Sequence, residues 1–464
     1  MVNFWDHEVW ELVSLVAALL LALLAANGLK RSLRFLRMSL IPTSVLGGFL
    51  LLMLSVILRP LLGKSVFDTV LFGGNGLSRL EVLTFHMLAL GFIATTFRAP
   101  GNVFSGKRRT EVFNTGVTTV SSYLLQGILG LGITLAASAT IMRSLFPAAG
   151  ILLPFGYGQG TGQALNYGSI YESTFGFTGG RSFGLTIAAF GFLSASIGGV
   201  IYLYILKRSS HVPPADELAE VFSTEDIQGP GEIPMNGAID KLTVQIGFVL
   251  MAYFLAYLII LGLGTLLPGL RAVIYGFNFL FGVIAAILIK EIMRLLQKNR
   301  IVKRQYINHF LMTRIGNLCF DLMIVAGIAA IRIELLRGYW GIMIVLGLVG
   351  LAATFVYNRY VARTLFPEYE TEQFLVMYGM LTGTASTGIM LLREVDSTFA
   401  SPAAENLVYQ NVPAMIFGFP MMLLATLAPV QPLLTLGILI IFFAAMNVIL
   451  FRSRIFRKRG QQKI

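Results

Sequence analysis

Apolar runs separated by short, mostly basic intervals organise this chain of 464 residues. Eleven runs are long enough to form a membrane-spanning helix, which needs about 20 predominantly apolar residues. They lie at about 9–27, 39–58, 80–97, 112–142, 183–206, 242–267, 271–293, 308–331, 340–362, 404–428 and 432–451. Two further stretches, about 149–174 and 374–395, fit neither a span nor a water-exposed loop. The segment 156-GYGQGTGQALNYGSIYE-172 holds five glycines, two glutamines, an asparagine and a carboxylate between apolar flanks. The pattern predicts an all-α polytopic membrane protein.

Composition supports that class. Charged residues make up 12% of the chain and apolar ones 56%, against about 25% charged in a soluble domain. The single cysteine, Cys319, excludes a disulfide framework or thiolate metal site, and four scattered histidines argue against a zinc or haem centre. The net charge of +12 serves as a topology signal, with no call for nucleic acid. Asp6, His7 and Glu8 precede the first apolar run where a cleaved signal peptide has a basic region, so that run is expected to stay as a span.

Lysine and arginine concentrate in alternate intervals: 30–37, 98–109, 207–208, 290–304, 359–363 and the tail beyond 451. Cytoplasmic loops carry such an excess, which predicts the N-terminus outside and the C-terminus inside. The alternation survives only if both odd stretches enter and leave on one side. They are therefore expected to be re-entrant hairpins, which are tolerated where backbone is buried in protein or lines a wet cavity. The segment 207–241, with two adjacent prolines at 213–214 and seven of the 23 acids, reads as a cytoplasmic linker. It divides the chain into 1–206, with a hairpin at about 149–174, and 242–428, with a hairpin at about 374–395. Residues 429–464 add a terminal helix and a basic tail.

Each half then has four spans, a hairpin and a fifth span. Five being odd, the second half is inverted relative to the first. Gly156-x3-Gly160-Thr161-Gly162 matches Gly379-x3-Gly383-Thr384-Ala385, and 85-FHMLALGFIA-94 resembles 320-FDLMIVAGIA-329. Inverted repeats with broken segments near the midplane are typical of secondary transporters.

The hairpin tips are the first candidate site. Gly158, Gln159, Gly160, Thr161, Gly162, Gln163 and Asn166 form one, and Gly383, Thr384, Ala385, Ser386 and Thr387 the other. Glycine lets backbone approach a ligand closely. Half-helix N-termini attract a carboxylate, while freed carbonyls and hydroxyls such as those of Thr161 and Thr384 suit Na⁺. The other reading of such small residues is tight helix packing. Arg314, Asn317 and Asp321 share one helix face, which makes Asp321 and Asn317 candidate cation ligands or, alternatively, a buried structural acid and its neighbour. Asn411, in the cluster Glu405, Asn406, Gln410 and Asn411 ahead of Pro413, is a candidate substrate contact or part of an interfacial cap. His86 is a proton relay or a packed structural histidine. No Walker A, HExxH or Gly-x-Ser-x-Gly motif occurs, so neither an ATP-driven pump nor a standard hydrolase is expected, and no catalytic residues or organic cofactor are assigned.

The run GQGTGQALNYG with 175-FGFTGGRSFGLTIAAFGFLSASIGG-199 resembles the first hairpin and following helix of bacterial glutamate:sodium symporters. The run 382-TGTASTGIMLLREVDSTFASPAAENLVYQNVPAMIFGFP-420 resembles the matching region of that family's second half. The resemblance implies Na⁺-coupled symport of a glutamate-like anionic amino acid in the bacterial inner membrane. It further implies a homodimer with an elevator-like moving core. This chain departs from a simple repeat in carrying Ala385 where the first tip has glycine, and in its eleventh span. Other readings left open are a proton-coupled or exchange transporter of another organic anion, and a channel.

Overall fold

A computed structural model describes residues 3–98, 106–209, 232–235, 239–396 and 401–455. Most of the proposed linker, at 210–231 and 236–238, and the end of the basic tail lie outside the described residues. Among those described, every regular element is helical apart from one isolated bridge between Glu232 and Gln305.

The first half contains α1 (His7–Ser32), α2 (Thr43–Leu62), α3 (Gly76–Arg98), α4 (Gly106–Ala139), α5 (Leu152–Phe175) and α6 (Gly180–Ser209). The second contains α7 (Lys241–Leu266), α8 (Asn278–Lys298), α9 (His309–Ala329), α10 (Trp340–Leu365), α11 (Glu370–Thr382) and α12 (Ala385–Arg393). It continues with α13 (Ala403–Tyr409), α14 (Asn411–Leu427) and α15 (Pro432–Leu450). Helix ends follow local chemistry. Gly63, in the left-handed region at φ 68°, stops α2. Asp240 caps α7 by accepting from the amide of Leu242 at 2.8 Å, and Asn308 caps α9 by accepting from that of Leu311 at 2.7 Å.

Nine of the described helices are long and apolar enough to cross a membrane, and ten if α13 and α14, which bend by 52°, count as one span. The protein is an all-α polytopic membrane protein. The expected span at 271–293 divides at Phe277, between a short helix Arg271–Gly276 and α8. Lys290, Glu291 and Arg294 load the second half of α8, which explains why it falls short of an apolar span.

Burial inverts the soluble pattern. Leu12, Leu21 and Leu24 of α1, Leu250, Phe254 and Leu258 of α7, and Leu433, Ile440 and Ile441 of α15 are exposed. Hydrocarbon is the solvent for such faces. The glycine-rich α5, by contrast, is buried from Leu152 to Gly168 except at Gln159.

Helices pack in exchanged pairs. α1 lies on α2 as α7 lies on α8; α2 lies on α9 as α8 lies on α3; α4 lies on α14 as α10 lies on α6. The helices α3 and α9 pack on each other, as do α4 and α10. One correspondence fails: α5 is packed along α6, the helix that follows it, and also touches α3 and α9, whereas α11 lies on α10, α6 and α5, and α11 and α12 meet the short α13 without packing along α14.

At the start of α7, Lys241 is fully buried and its Nζ bonds to Glu232 Oε2 at 2.6 Å. Asn308 Nδ2 also donates to that oxygen at 2.7 Å. Removing one partner of a buried pair leaves an uncompensated charge and costs about 3–5 kcal/mol. Glu232→Gln, which keeps an acceptor for Asn308, should lower thermal stability in detergent by an amount in that range. Adding Lys241→Met removes the stranded charge and should restore most of the loss, as measured by thermal unfolding of both variants.

Candidate functional site

Two interruptions of helical backbone define the candidate site. In α5, Gly160 adopts φ 77°, ψ −168°, a conformation open essentially to glycine, and divides the helix into two arms. The arms fold back on each other: the rings of Phe155 and Tyr167 stack with centroids 3.9 Å apart, although twelve positions of continuous helix would hold them about 18 Å apart. The second interruption, at Gly383 and Thr384, separates α11 from α12. These also fold back, since a Cβ on Gly388 would lie 2.5 Å from the carbonyl oxygen of Val376.

The interruptions meet. A methyl group placed on Gly160 would lie 4.0 Å from Thr384 Cγ2 and 3.9 Å from the Phe192 ring of α6. The N-termini of the second arm of α5, at Thr161, and of α12, at Ala385, therefore come to one junction. The C-terminal ends of the first arm and of α11 come to the same place. No Asp, Glu, Lys, Arg or His lies in 156–168 or 379–388. The field at the junction is set by backbone dipoles, with donors and acceptors both on offer.

The first tip is buried and firmly held. Tyr123 Oη donates to the Gly158 carbonyl at 3.0 Å, and Thr161 Oγ1 to the Met323 carbonyl of α9 at 3.4 Å. Gly162 packs against Leu88 and Met323. Gln163 Oε1 accepts from Asn166 Nδ2 at 3.3 Å, and Asn166 also donates to the Gly276 carbonyl. Gln163 Nε2 is buried without a partner. Gln159 is half-buried at the junction. The second arm is tied to the other half of the chain, where Tyr167 and Tyr171 donate to the carbonyls of Met422 and Ala425 in α14.

The second tip is more open. Gly383 and Thr387 are buried and Thr384 half-buried, whereas Ala385 and Ser386 are exposed. Thr384 Oγ1 caps α12 by accepting from the amide of Thr387 at 3.4 Å.

Other expected site residues lie elsewhere. Asn317 and Asp321 are exposed with Arg314 and Leu318 on one face of α9. Thr161 meets Met323 and Gly327 of that helix. At 100° per residue this is a different face, so α9 does not bring Asp321 or Asn317 to the tips. Asn411 is exposed and accepts from Gln410 Nε2 at 3.1 Å, while Gln410 and Asn406 are the buried members of that cluster. His86 bonds through Nδ1 to Tyr253 Oη at 2.6 Å, in the contact between α3 and α7. Glu172 accepts from the amide of Arg181 at the start of α6, next to an ion cluster of Arg181 and Arg332 on Glu81.

A polar seam was missed by scanning for apolar runs. Thr115, Thr119, Ser122 and Gln126 recur at helical spacing along α4 and are buried. Gln373 donates to Thr115, Thr119 donates to Gln410, Asn358 donates to Ser122, and Gln126 donates to Thr354. Their three-to-four-residue spacing within 112–142 was the available signal.

Comparison with protein-family models, with curated proteins and with solved structures finds no match to this chain.

The unequal burial of the tips is measurable in a variant lacking Cys319, the sole cysteine. In that background, Ser386→Cys should react with a soluble maleimide in detergent within minutes, whereas Thr161→Cys should stay largely unmodified. Equal labelling of the two would contradict the packing of the first tip.

Proposed function

We propose that this protein is a Na⁺-coupled secondary transporter of a glutamate-like anionic amino acid, built from two inverted five-helix repeats with re-entrant hairpins. The observation that carries the reading is the meeting of the two interruptions at Gly160 and Thr384. Two half-helix N-termini there offer free amides to substrate carboxylates, and two half-helix C-termini offer carbonyls to a cation. The exchanged pairs of packed helices support the inverted repeat, because α1 to α4 match α7 to α10 partner for partner. The charge distribution along the sequence supports the N-terminus outside and the C-terminus in the cytoplasm.

In this reading Na⁺ is a transported coupling ion that offsets the charge of the substrate. Thr161 and Thr384 supply hydroxyls beside the freed carbonyls. The loaded core, made of the hairpins with α6 and α14, crosses between faces against a scaffold through which two copies associate. Binding at a dry junction of backbone dipoles strengthens each contact while leaving the empty, uncompensated site costly to move.

Purified protein in liposomes should accumulate labelled dicarboxylic amino acid when Na⁺ is outside and should lose at least tenfold in rate when choline replaces Na⁺. Gly160→Ala should reduce that uptake by at least tenfold while the protein stays folded, because its Cβ has room and only the backbone is strained, by about 1–3 kcal/mol. Uptake indifferent to Na⁺, or single-channel currents in planar bilayers, would overturn the proposal.

A further inference from the structure

The polar seam contains two amide oxygens that its hydrogen bonds leave over. Gln126 on α4 and Asn358 on α10 are each 1% exposed. Gln126 Nε2 donates to Thr354 Oγ1 at 2.8 Å and to the Leu381 carbonyl at 3.0 Å. Asn358 Nδ2 donates to Ser122 Oγ at 3.2 Å and to the Thr354 carbonyl at 2.9 Å. A carbonyl only accepts, so these bonds fix which end of each amide is nitrogen. Gln126 Oε1 and Asn358 Oδ1 are thereby the ends left buried with no hydrogen-bond partner.

The two side chains are neighbours. Asn358 sits on Ser122 and Gln126 follows one turn later on α4, a spacing of about 5–6 Å between Cβ atoms. Both contact Thr354 of α10. Gln126 also reaches the last turn of α11, where helix carbonyls lack intrahelical donors and carry the negative end of the dipole. The unpaired end of each of these two amides is an oxygen. No acid, histidine or cysteine joins it, and no metal-holding group of such residues occurs among the described residues. A divalent ion is ordinarily held by carboxylates, whereas neutral oxygens at a half-helix C-terminus suit a hard monovalent cation.

We infer that Gln126 and Asn358 are ligands of a Na⁺ ion held between α4, α10 and the C-terminal end of α11. The naming of the ion rests on the transport reading above, and the site is separate from the tip hydroxyls of Thr161 and Thr384. An ion here links the contact between α4 and α10 to the second hairpin just before its interruption at Gly383. Occupancy would thus hold α11 in place while the tip binds substrate.

The test is thermal unfolding of the full-length protein in detergent, with NaCl exchanged for choline chloride at constant ionic strength. Wild type should be stabilised by Na⁺ with a saturating dependence, and Gln126→Leu and Asn358→Leu should each raise the half-saturating Na⁺ concentration at least tenfold. Gln126→Glu and Asn358→Asp keep an oxygen and add charge, so they should gain more from Na⁺ than wild type does. These two also serve if the leucine variants fail to fold. Half-saturation within twofold of wild type in the leucine variants, or carboxylate variants that gain no more from Na⁺ than wild type does, would overturn the site and leave a pocket for water. If Na⁺-driven uptake persists in that case, the transport reading stands without this site. Na⁺ stabilisation lost in the variants of a protein that shows no Na⁺-driven uptake would leave the site standing and the transport reading overturned.

Discussion

Broken helical backbone inside a membrane protein has no water to turn to, and that constraint organises the molecule. An unpaired amide or carbonyl in hydrocarbon costs several kcal/mol, so an interrupted helix is tolerated only inside protein or against a wet cavity. Here the leucine-rich helices take the outside and the glycine-rich hairpins the inside. Each interruption is packed against the other and against α6, where Phe192 meets Gly160 and the Thr382 carbonyl lies 2.5 Å from where a Cβ on Gly191 would stand. Enclosure of this kind creates a place furnished with backbone dipoles and without acidic or basic side chains, and the chemistry proposed for the protein follows from it.

The two tips are enclosed unequally. The first is secured from three directions by Tyr123, Met323 and Gly276. The second presents Ala385 and Ser386 at the surface and is capped chiefly by its own Thr384. The packing of α5 along α6 has no equivalent between α12 and α14. The two tips, both built on Gly-Thr, therefore stand in different surroundings, and their backbones differ accordingly, with φ 77° at Gly160 against −138° at Gly383.

Much of this was legible in the sequence, for a physical reason. Apolar length and glycine placement are local properties, so the run at 183–206 became α6 at Gly180–Ser209 and the interruptions fell at Gly160 and Gly383. What escaped depends on neighbours. Helical spacing put Arg314, Asn317 and Asp321 on one face, but only packing determines what that face meets, and it turns away from Thr161. One residue is 100° of rotation, which is why Gln410 is buried and Asn411 exposed. The seam on α4 was hidden because a scan for hydrophobic length averages over the polar residues recurring within it. The charges at Lys290, Glu291 and Arg294 that keep α8 short of an apolar span were diluted by the same averaging.

The bonds from Tyr167 and Tyr171 to α14 have a consequence for how the protein is made. Their acceptors lie 255 and 254 residues further along the chain. At about 5–20 residues per second, a ribosome needs about 13–50 s to deliver them. For that interval the second arm of α5 lacks its α14 acceptors, while its packing on α3, α4 and α6 is already available. Biogenesis therefore contains a waiting period, during which the hydroxyls of Tyr167 and Tyr171 are without the acceptors they have in the finished fold. This part of the packing is completed by the arrival of α14 rather than by the folding of the first helices.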